Sequence, residues 1–173
     1  MPTRSSSTIN NGSRTRPRQV AATNSVIIRS FNEYAFSQNL EDGTDEHWEA
    51  RRRFISQEVR SRFTRVFGAD VNSLEGWKKL CKTVLGSAKG KKAINLDELT
   101  TIRQCKAKLQ NSFVNLIDLV EYAQNGNVLP RRLVFESAEA LAEYTKEETK
   151  FFPKEDAKSV PLLKLFLIAV FAH

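Results

Sequence analysis

Residues 46–67, EHWEARRRFISQEVRSRFTRVF, decide the fold class of this chain. Apolar side chains recur in this stretch at spacings of three, four and seven, which places them on one face of a helix. Gly68 follows directly, as a glycine commonly does just past a helix end. We therefore predict a long helix over 46–67, capped by Thr44 or Asp45, with its inward face formed by Trp48, Ile55, Val59, Phe63, Val66 and Phe67.

Five more segments show helical patterns, and none alternates with the period of two that a sheet strand requires. Segment 26–36 is apolar enough to be either a short helix or an extended strip docked on the core. We expect an all-α fold, a compact irregular bundle of about five to six helices behind a disordered N-terminal tail. The other predicted helices are LEGWKKLCKTVL (74–85), a segment from Asn95 or Asp97 to Leu109, one within FVNLIDLVEYAQNG (113–126), AEALAEYTKEE (138–148) after Ser137, and LLKLFLIAVFA (162–172) after Pro161.

Residues 1–24 differ in composition from the rest of the 173-residue chain. They are rich in Ser, Thr, Asn and Arg and have almost nothing to bury, so we predict a disordered basic tail. Pro2, Gly12 and Pro17 break any amphipathic transit helix there, and no apolar stretch of the secretory type is present. These features predict a tail over 1–24, one helical domain over 25–173, and a location in the cytosol or nucleus.

The formal charge of +7 is unevenly distributed. Residues 1–22 carry +4, residues 23–50 carry −5, and residues 51–108 carry +10. A continuous positive surface from 51–108 would attract phosphates without reading bases, although ion pairs with the acidic segments would neutralise part of it. The candidate polyanion-binding residues are Arg51, Arg52, Arg62, Arg65, Lys78, Lys82, Lys89, Lys91 and Lys92.

Catalytic, cofactor and metal signatures are weak in this sequence. The run 86–92, GSAKGKK, has the wrong glycine spacing for a phosphate loop and no Ser or Thr after its lysine. Cys81 and Cys105 lie on apolar faces without a neighbouring histidine or cysteine, which favours buried apolar roles over zinc or nucleophile chemistry. We therefore expect no cofactor, and an enzyme only if the fold brings Asp118, Glu121 or His47 into one deep pocket.

The C-terminal run VPLLKLFLIAVFA is strongly apolar. It is about a dozen residues long, against the roughly 20 that a membrane span needs, so we predict a buried core helix. The alternative is an exposed helix that docks in a partner's groove. If Phe151, Phe152 and Phe166 form a surface patch, they are the candidate protein-binding residues.

Five motifs occur in an order that resembles a family of small fungal helical proteins. They are LEGWKKLC (74–81), IRQCKAKL (102–109), VNLIDLVEY (114–122), FESAEALAEYT (135–145) and FFPKEDAK (151–158), followed by LLKLFL (162–167). The resemblance covers about residues 45–172. Val160-Pro161 stands where the family has a glycine-containing connection, and the 86–98 loop is longer. The family has no established biochemical activity, so the resemblance implies a single helical domain of fungal origin and transfers no site residues.

Two hypotheses for function follow. The first is a non-enzymatic intracellular interaction module that binds another macromolecule, a protein in the leading version. The alternative is a nucleic-acid-associated protein that uses the 51–108 basic surface and the arginine-rich tail. The two hypotheses differ in the salt dependence of binding. Binding to phosphates weakens steeply as the salt concentration rises, whereas apolar docking does not.

Overall fold

A computed structural model gives the fold and describes residues 24–86 and 94–170. Within these residues the chain forms seven α-helices, and the all-α prediction is confirmed. The tail predicted over 1–24 lies outside the described residues except for Asn24. The helices are α1 (Val26–Ser37), α2 (Asp45–Phe67), α3 (Leu74–Leu85), α4 (Ile102–Leu109), α5 (Leu116–Gln124), α6 (Ala138–Glu147) and α7 (Pro161–Val170), with 3₁₀ turns at Arg131–Leu133 and Lys154–Ser159.

Helix α2 is the central element and packs against α1, α3 and α5. The Thr44 hydroxyl accepts a hydrogen bond from the amide of His47 at 3.2 Å, and Gly68 ends the helix at a φ of +84°. Ile55, Val59, Phe63 and Phe67 are buried, as their spacing predicts.

Trp48 departs from that pattern, and its predicted inward position was wrong. Its side chain is 54% exposed. In the first turn of α2 the neighbouring His47 takes the inward position, with its ring 5.2 Å from the ring of Phe31. The apolar stripe of α2 thus runs beyond the end of the core and leaves a tryptophan on the surface.

Segment 26–36, left open by the sequence, is helix α1. The Ser25 hydroxyl accepts from the amide of Ile28 at 3.2 Å and caps its first turn. The carboxylate of Glu121, on α5, accepts from the amide of Ile27 at 2.7 Å and from the Ser25 hydroxyl at 2.8 Å. With this helix the described residues form seven α-helices, compared with the five to six expected.

Helices α3 and α4 form a tightly packed pair. Helix α3 has the predicted Ser73 cap, but α4 begins at Ile102 and not at Asn95 or Asp97. Asn95 instead accepts the amide of Asp97 in a turn, and Thr101 forms a reciprocal capping box with Gln104. The capping box satisfies amides at the start of α4, which lies too far along the chain for Asn95 or Asp97 to cap.

Two short strands, β1 (Phe113–Val114) and β2 (Val134–Phe135), pair antiparallel. Phe113 lies opposite Phe135, and Val114 lies opposite Val134. Two residues are too few for an alternating pattern to reveal a strand.

Helix α7 closes the core with Leu162, Leu163 and Phe166, all at 0% exposure. Phe166 is therefore not part of a surface patch, and this part of the predicted protein-binding set was wrong. Ile168, on the outer side of the same helix, is 54% exposed. No helix within 24–86 and 94–170 has the length and apolar content needed to cross a membrane.

Candidate functional site

The structure divides the basic segment 51–108 into parts with different roles. Arg51 is only 8% exposed, so its predicted place on a polyanion-binding surface was wrong. Its guanidinium lies 5.5 Å from the centre of the Phe31 ring and donates a hydrogen bond to the carbonyl of Thr149. Burial lowers the pKa of Arg51, with the charge of Asp42 acting in the opposite direction. Arg51 is a structural link between α2 and the end of α6.

The other predicted arginines differ in their partners. Arg62 is half-buried and donates to Glu58 at 2.9 and 3.0 Å and to Gln124 at 2.9 Å. Arg52 and Arg65 are exposed, on separate sides of α2. Lys89, Lys91 and Lys92 lie outside the described residues.

Lys78, Lys82 and Lys106 form a second basic feature, the lysine ridge, along the contact between α3 and α4. The Lys106 ammonium lies 5.1 Å from the centre of the Trp77 ring, and Lys82 follows Lys78 by one turn. No acid among the described residues forms an ion pair with these three lysines, whereas Lys79 has Glu75 at 4.0 Å. Their positive charge is therefore not neutralised within the described part of the chain.

A buried polar cluster, the clamp, joins Asp118 of α5 to Tyr144 and Lys150. The Lys150 ammonium donates to Asp118 Oδ1 at 2.8 Å and to the Tyr144 hydroxyl at 2.8 Å. The Tyr144 hydroxyl donates to Asp118 Oδ2 at 2.8 Å. The carbonyl of Lys150 accepts from the Asn115 amide at 2.9 Å, so α5 holds this stretch at two points.

The electrostatics of the clamp suit a structural role. Burial, together with the nearby Asp118 charge, raises the pKa of Tyr144 to about 12. Burial alone would lower the pKa of Lys150, but hydrogen bonds to Asp118 and Tyr144 raise it above its ordinary value. At neutral pH the lysine is charged and the tyrosine is protonated, so neither serves as a base.

The three acid–base candidates from the sequence are not brought together. Asp118 is in the clamp, Glu121 holds the start of α1, and His47 packs on Phe31. Cys81 and Cys105 are both fully buried across the contact between α3 and α4. Among the described residues there is no group of three or more His, Cys, Asp or Glu side chains placed to hold a metal ion.

The most distinctive surface is the seam, where α2 meets segment 149–159. Arg51 donates to Thr149 at one end, and Arg60 donates to the Ser159 hydroxyl at 2.7 Å at the other. Between these links lies a groove of about 340 Å³. The seam groove is lined by Glu49, Arg52, Arg53, Ser56, Gln57 and Arg60 of α2 and by Asp156.

Two exposed aromatic residues lie close in the chain to the link between Arg51 and Thr149. Trp48 lies one turn before Arg52 and is 54% exposed. Phe151 lies two residues after Thr149 and is 51% exposed, and Phe152 is half-buried against the core. The sequence identified both phenylalanines as candidates but missed Trp48, because helical periodicity alone assigns it to the core.

The seam groove was not predicted either. Its residues come from stretches about a hundred positions apart, so no local spacing signals them. Of the candidate polyanion-binding residues, Arg52 lines this groove, and it was named for its charge alone.

Comparisons of the chain with protein-family models, curated proteins and solved structures gave no match. The site is therefore interpreted from its own geometry.

Proposed function

We propose that this protein is a non-enzymatic helical interaction module that binds another protein through the seam. The observation that carries the proposal is the occurrence of two exposed aromatics, Trp48 and Phe151, on the two chain segments that form the seam, together with a groove that three arginines line. Trp, Tyr and Arg dominate the binding energy of protein interfaces, and aromatics are enriched there over the general surface. A protein partner inside a cell, in the cytosol or nucleus, is the form of this proposal that the sequence predicts.

The position of these aromatics supports the proposal. Both side chains remain half exposed, although the core buries the chain's other tryptophan, Trp77, completely. The backbone beneath them is anchored by Arg51 on Thr149 and by Lys150 in the clamp. A rigid base lowers the entropy that is lost when a partner docks.

A double variant, Trp48→Ala with Phe151→Ala, tests the proposal against the control Phe36→Ala. Phe36 is 85% exposed on α1, so the control also removes a surface aromatic. Wild type and both variants are immobilised in equal amounts and incubated with an extract of the source organism, and bound proteins are quantified by mass spectrometry. We expect at least one bound protein to fall about tenfold or more with the seam variant and to persist with the control.

Equal loss in both variants, or no bound protein that depends on the seam, would contradict the proposal. Sedimentation of the purified chain separates a second copy from a different partner. Self-association that the seam variant abolishes would identify the partner as another copy of this chain.

A second candidate function is nucleic-acid binding, which the unneutralised lysine ridge favours. Phosphate contacts make affinity fall linearly with salt on logarithmic axes. The test is fluorescence anisotropy of labelled duplex DNA and single-stranded RNA over a salt series, with Lys78→Glu/Lys82→Glu compared with the exposed control Lys158→Glu. Binding through the ridge predicts a salt slope reduced by about one for each lost phosphate contact, and unchanged binding in the ridge variant would exclude that surface.

A further inference from the structure

We propose that the seam groove is a receptor for a single carboxylate side chain of the protein partner, an inference that rests on the proposed function.

Charge pairing within the groove leaves cationic donors without a partner. Arg53 is paired with Glu49 one turn earlier. Arg60 donates from Nε to the Ser56 carbonyl at 3.2 Å and from Nη1 to Ser159, which leaves Nη2 without a hydrogen bond to the described residues. Arg52 is exposed and forms no ion pair within the described part of the chain. Two guanidinium groups thus face one unpaired acid, Asp156, and the groove has a positive balance.

Ser56 provides an independent observation. The residue is 1% exposed and lines the groove, and its hydroxyl has no hydrogen-bond partner. A serine within a helix commonly donates to the carbonyl four residues earlier, but this one does not. A buried hydroxyl without a partner is unfavourable by about 1–3 kcal/mol. The hydroxyl oxygen is covered by neighbouring atoms, so a ligand oxygen bound in the groove would satisfy it only after a shift of the side chains above it.

The acids of the groove limit how much negative charge it can accept. Glu49 is paired with Arg53, and Asp156 opposes any incoming anion, but a nucleic-acid backbone would bring several negative charges beside Asp156 where a single carboxylate brings one. A single carboxylate matches the planar fork of a guanidinium and forms two parallel hydrogen bonds with it. With Trp48 at the seam to contact neighbouring apolar residues, the geometry fits an acidic side chain within a peptide.

Two synthetic peptides test this recognition. In the first, a single glutamate lies between leucine and tryptophan residues, and in the second, glutamine replaces that glutamate. Each is titrated into the full-length, ¹⁵N-labelled protein, and backbone and arginine side-chain resonances are followed by NMR. We expect the glutamate peptide to shift the resonances of Arg52, Ser56 and Gln57 and to bind about tenfold more tightly than the glutamine peptide.

Single substitutions test which groove residues bind the glutamate peptide. Arg52→Gln should weaken binding of the glutamate peptide about tenfold, whereas Arg65→Gln, an exposed arginine in the last turn of α2, should leave it unchanged. Ser56→Ala should weaken binding about threefold while leaving the melting temperature equal or higher, since it removes an unsatisfied hydroxyl. A purely structural Ser56 would not give this opposite pair of effects.

Three outcomes overturn the inference. These are equal affinity for the two peptides, no shift at the groove with millimolar glutamate peptide, and a single-stranded RNA that shifts the same groove residues more strongly. Equal affinity in both peptides, with binding still dependent on Trp48 and Phe151, would reject carboxylate recognition and leave the proposed function intact. Loss of dependence on the two aromatics would instead reject the proposed function.

Discussion

At the residue scale, the clamp shows how a charged lysine is held inside this small protein. Lys150 is 5% exposed and Asp118 is 4% exposed, so each charge would be strongly unfavourable alone. Their hydrogen bonds to each other and to Tyr144 compensate for the lost hydration. The clamp also fixes the chain just before Phe151, at the start of the seam.

We predict that Asp118→Ala lowers the free energy of unfolding by about 3 kcal/mol, because it leaves the buried Lys150 charge with only the more exposed Glu148, 3.9 Å away, as an anionic neighbour. Urea denaturation followed by circular dichroism measures the change. Glu147→Ala, at an exposed acid near the end of α6, is the matched control and should change stability by less than about 0.5 kcal/mol. A similar small change in Asp118→Ala would show that the clamp contributes little.

The pH dependence of the free energy of unfolding tests the same contacts among Asp118, Tyr144 and Lys150. The pKa values of Tyr144 and Lys150 are raised in the folded state, so their stabilisation is complete below the unfolded-state values near pH 10. Above that pH the unfolded chain holds fewer protons than the folded one, and stability falls as pH rises toward the folded pKa of Tyr144, about 12. The wild type should lose stability more steeply in this range than Asp118→Ala, and parallel curves would contradict the assignment.

At the element scale, α1 is held at its N-terminus by a carboxylate from α5. Glu121 accepts from Ile27 and Ser25, and a negative charge at a helix start is favoured by the helix dipole. The inner face of α1 contributes Ile27, Ile28 and Phe31 to the interior. A distant residue in the sequence therefore sets where this helix begins.

We predict that Glu121→Ala increases hydrogen exchange of the first two turns of α1 by about tenfold, because the carboxylate acceptor is lost. Hydrogen-exchange mass spectrometry measures this. Glu121→Gln, which retains an acceptor oxygen but not the charge, should show a smaller increase, and Glu33→Ala, on the exposed face of α1, should show none. Equal protection in Glu121→Ala and the wild type would mean that packing alone holds α1.

Local chemistry predicted most of the elements. Thr44, Ser73 and Ser137 cap the helices that the sequence assigns to them, because each hydroxyl satisfies an amide within three residues. The predicted start of α4 was wrong. Several residues before the helix are able to cap it, and the cap that forms is the Thr101–Gln104 box. The pairing of β1 with β2 joins residues twenty or more positions apart, which no local pattern conveys.

At the scale of the whole molecule, the reactivity of the two cysteines indicates whether the core stays packed. Cys81 and Cys105 are fully buried in neighbouring helices, with the Cys81 sulfur 3.6 Å from the Cys105 carbonyl. Burial raises the pKa of both thiols, which disfavours the reactive thiolate. Their reaction therefore requires the packing of α3 against α4 to open.

We predict that both thiols react with a disulfide reagent only as fast as the protein opens, with a rate that rises in urea in parallel with global unfolding. Absorbance of the released reagent thiol measures the rate. Ser61→Cys places a thiol at an exposed position of α2, and that third thiol should react at once in the native protein. Rapid reaction of Cys81 or Cys105 without urea would show that α3 and α4 separate independently of the rest.

The sequence by itself determined the helical class, most helix boundaries and the inward faces of α2 and α3, because caps and apolar periodicity act over only a few residues. It also identified Phe151 and Phe152, and it named Arg52 by charge. Only the tertiary structure decided which side chains reach the surface. Arg51 and Phe166 are buried by packing with distant segments, and Trp48 is left exposed. The clamp and the seam groove were also decided by the tertiary structure alone, since helix packing brings their residues together across long separations in the chain.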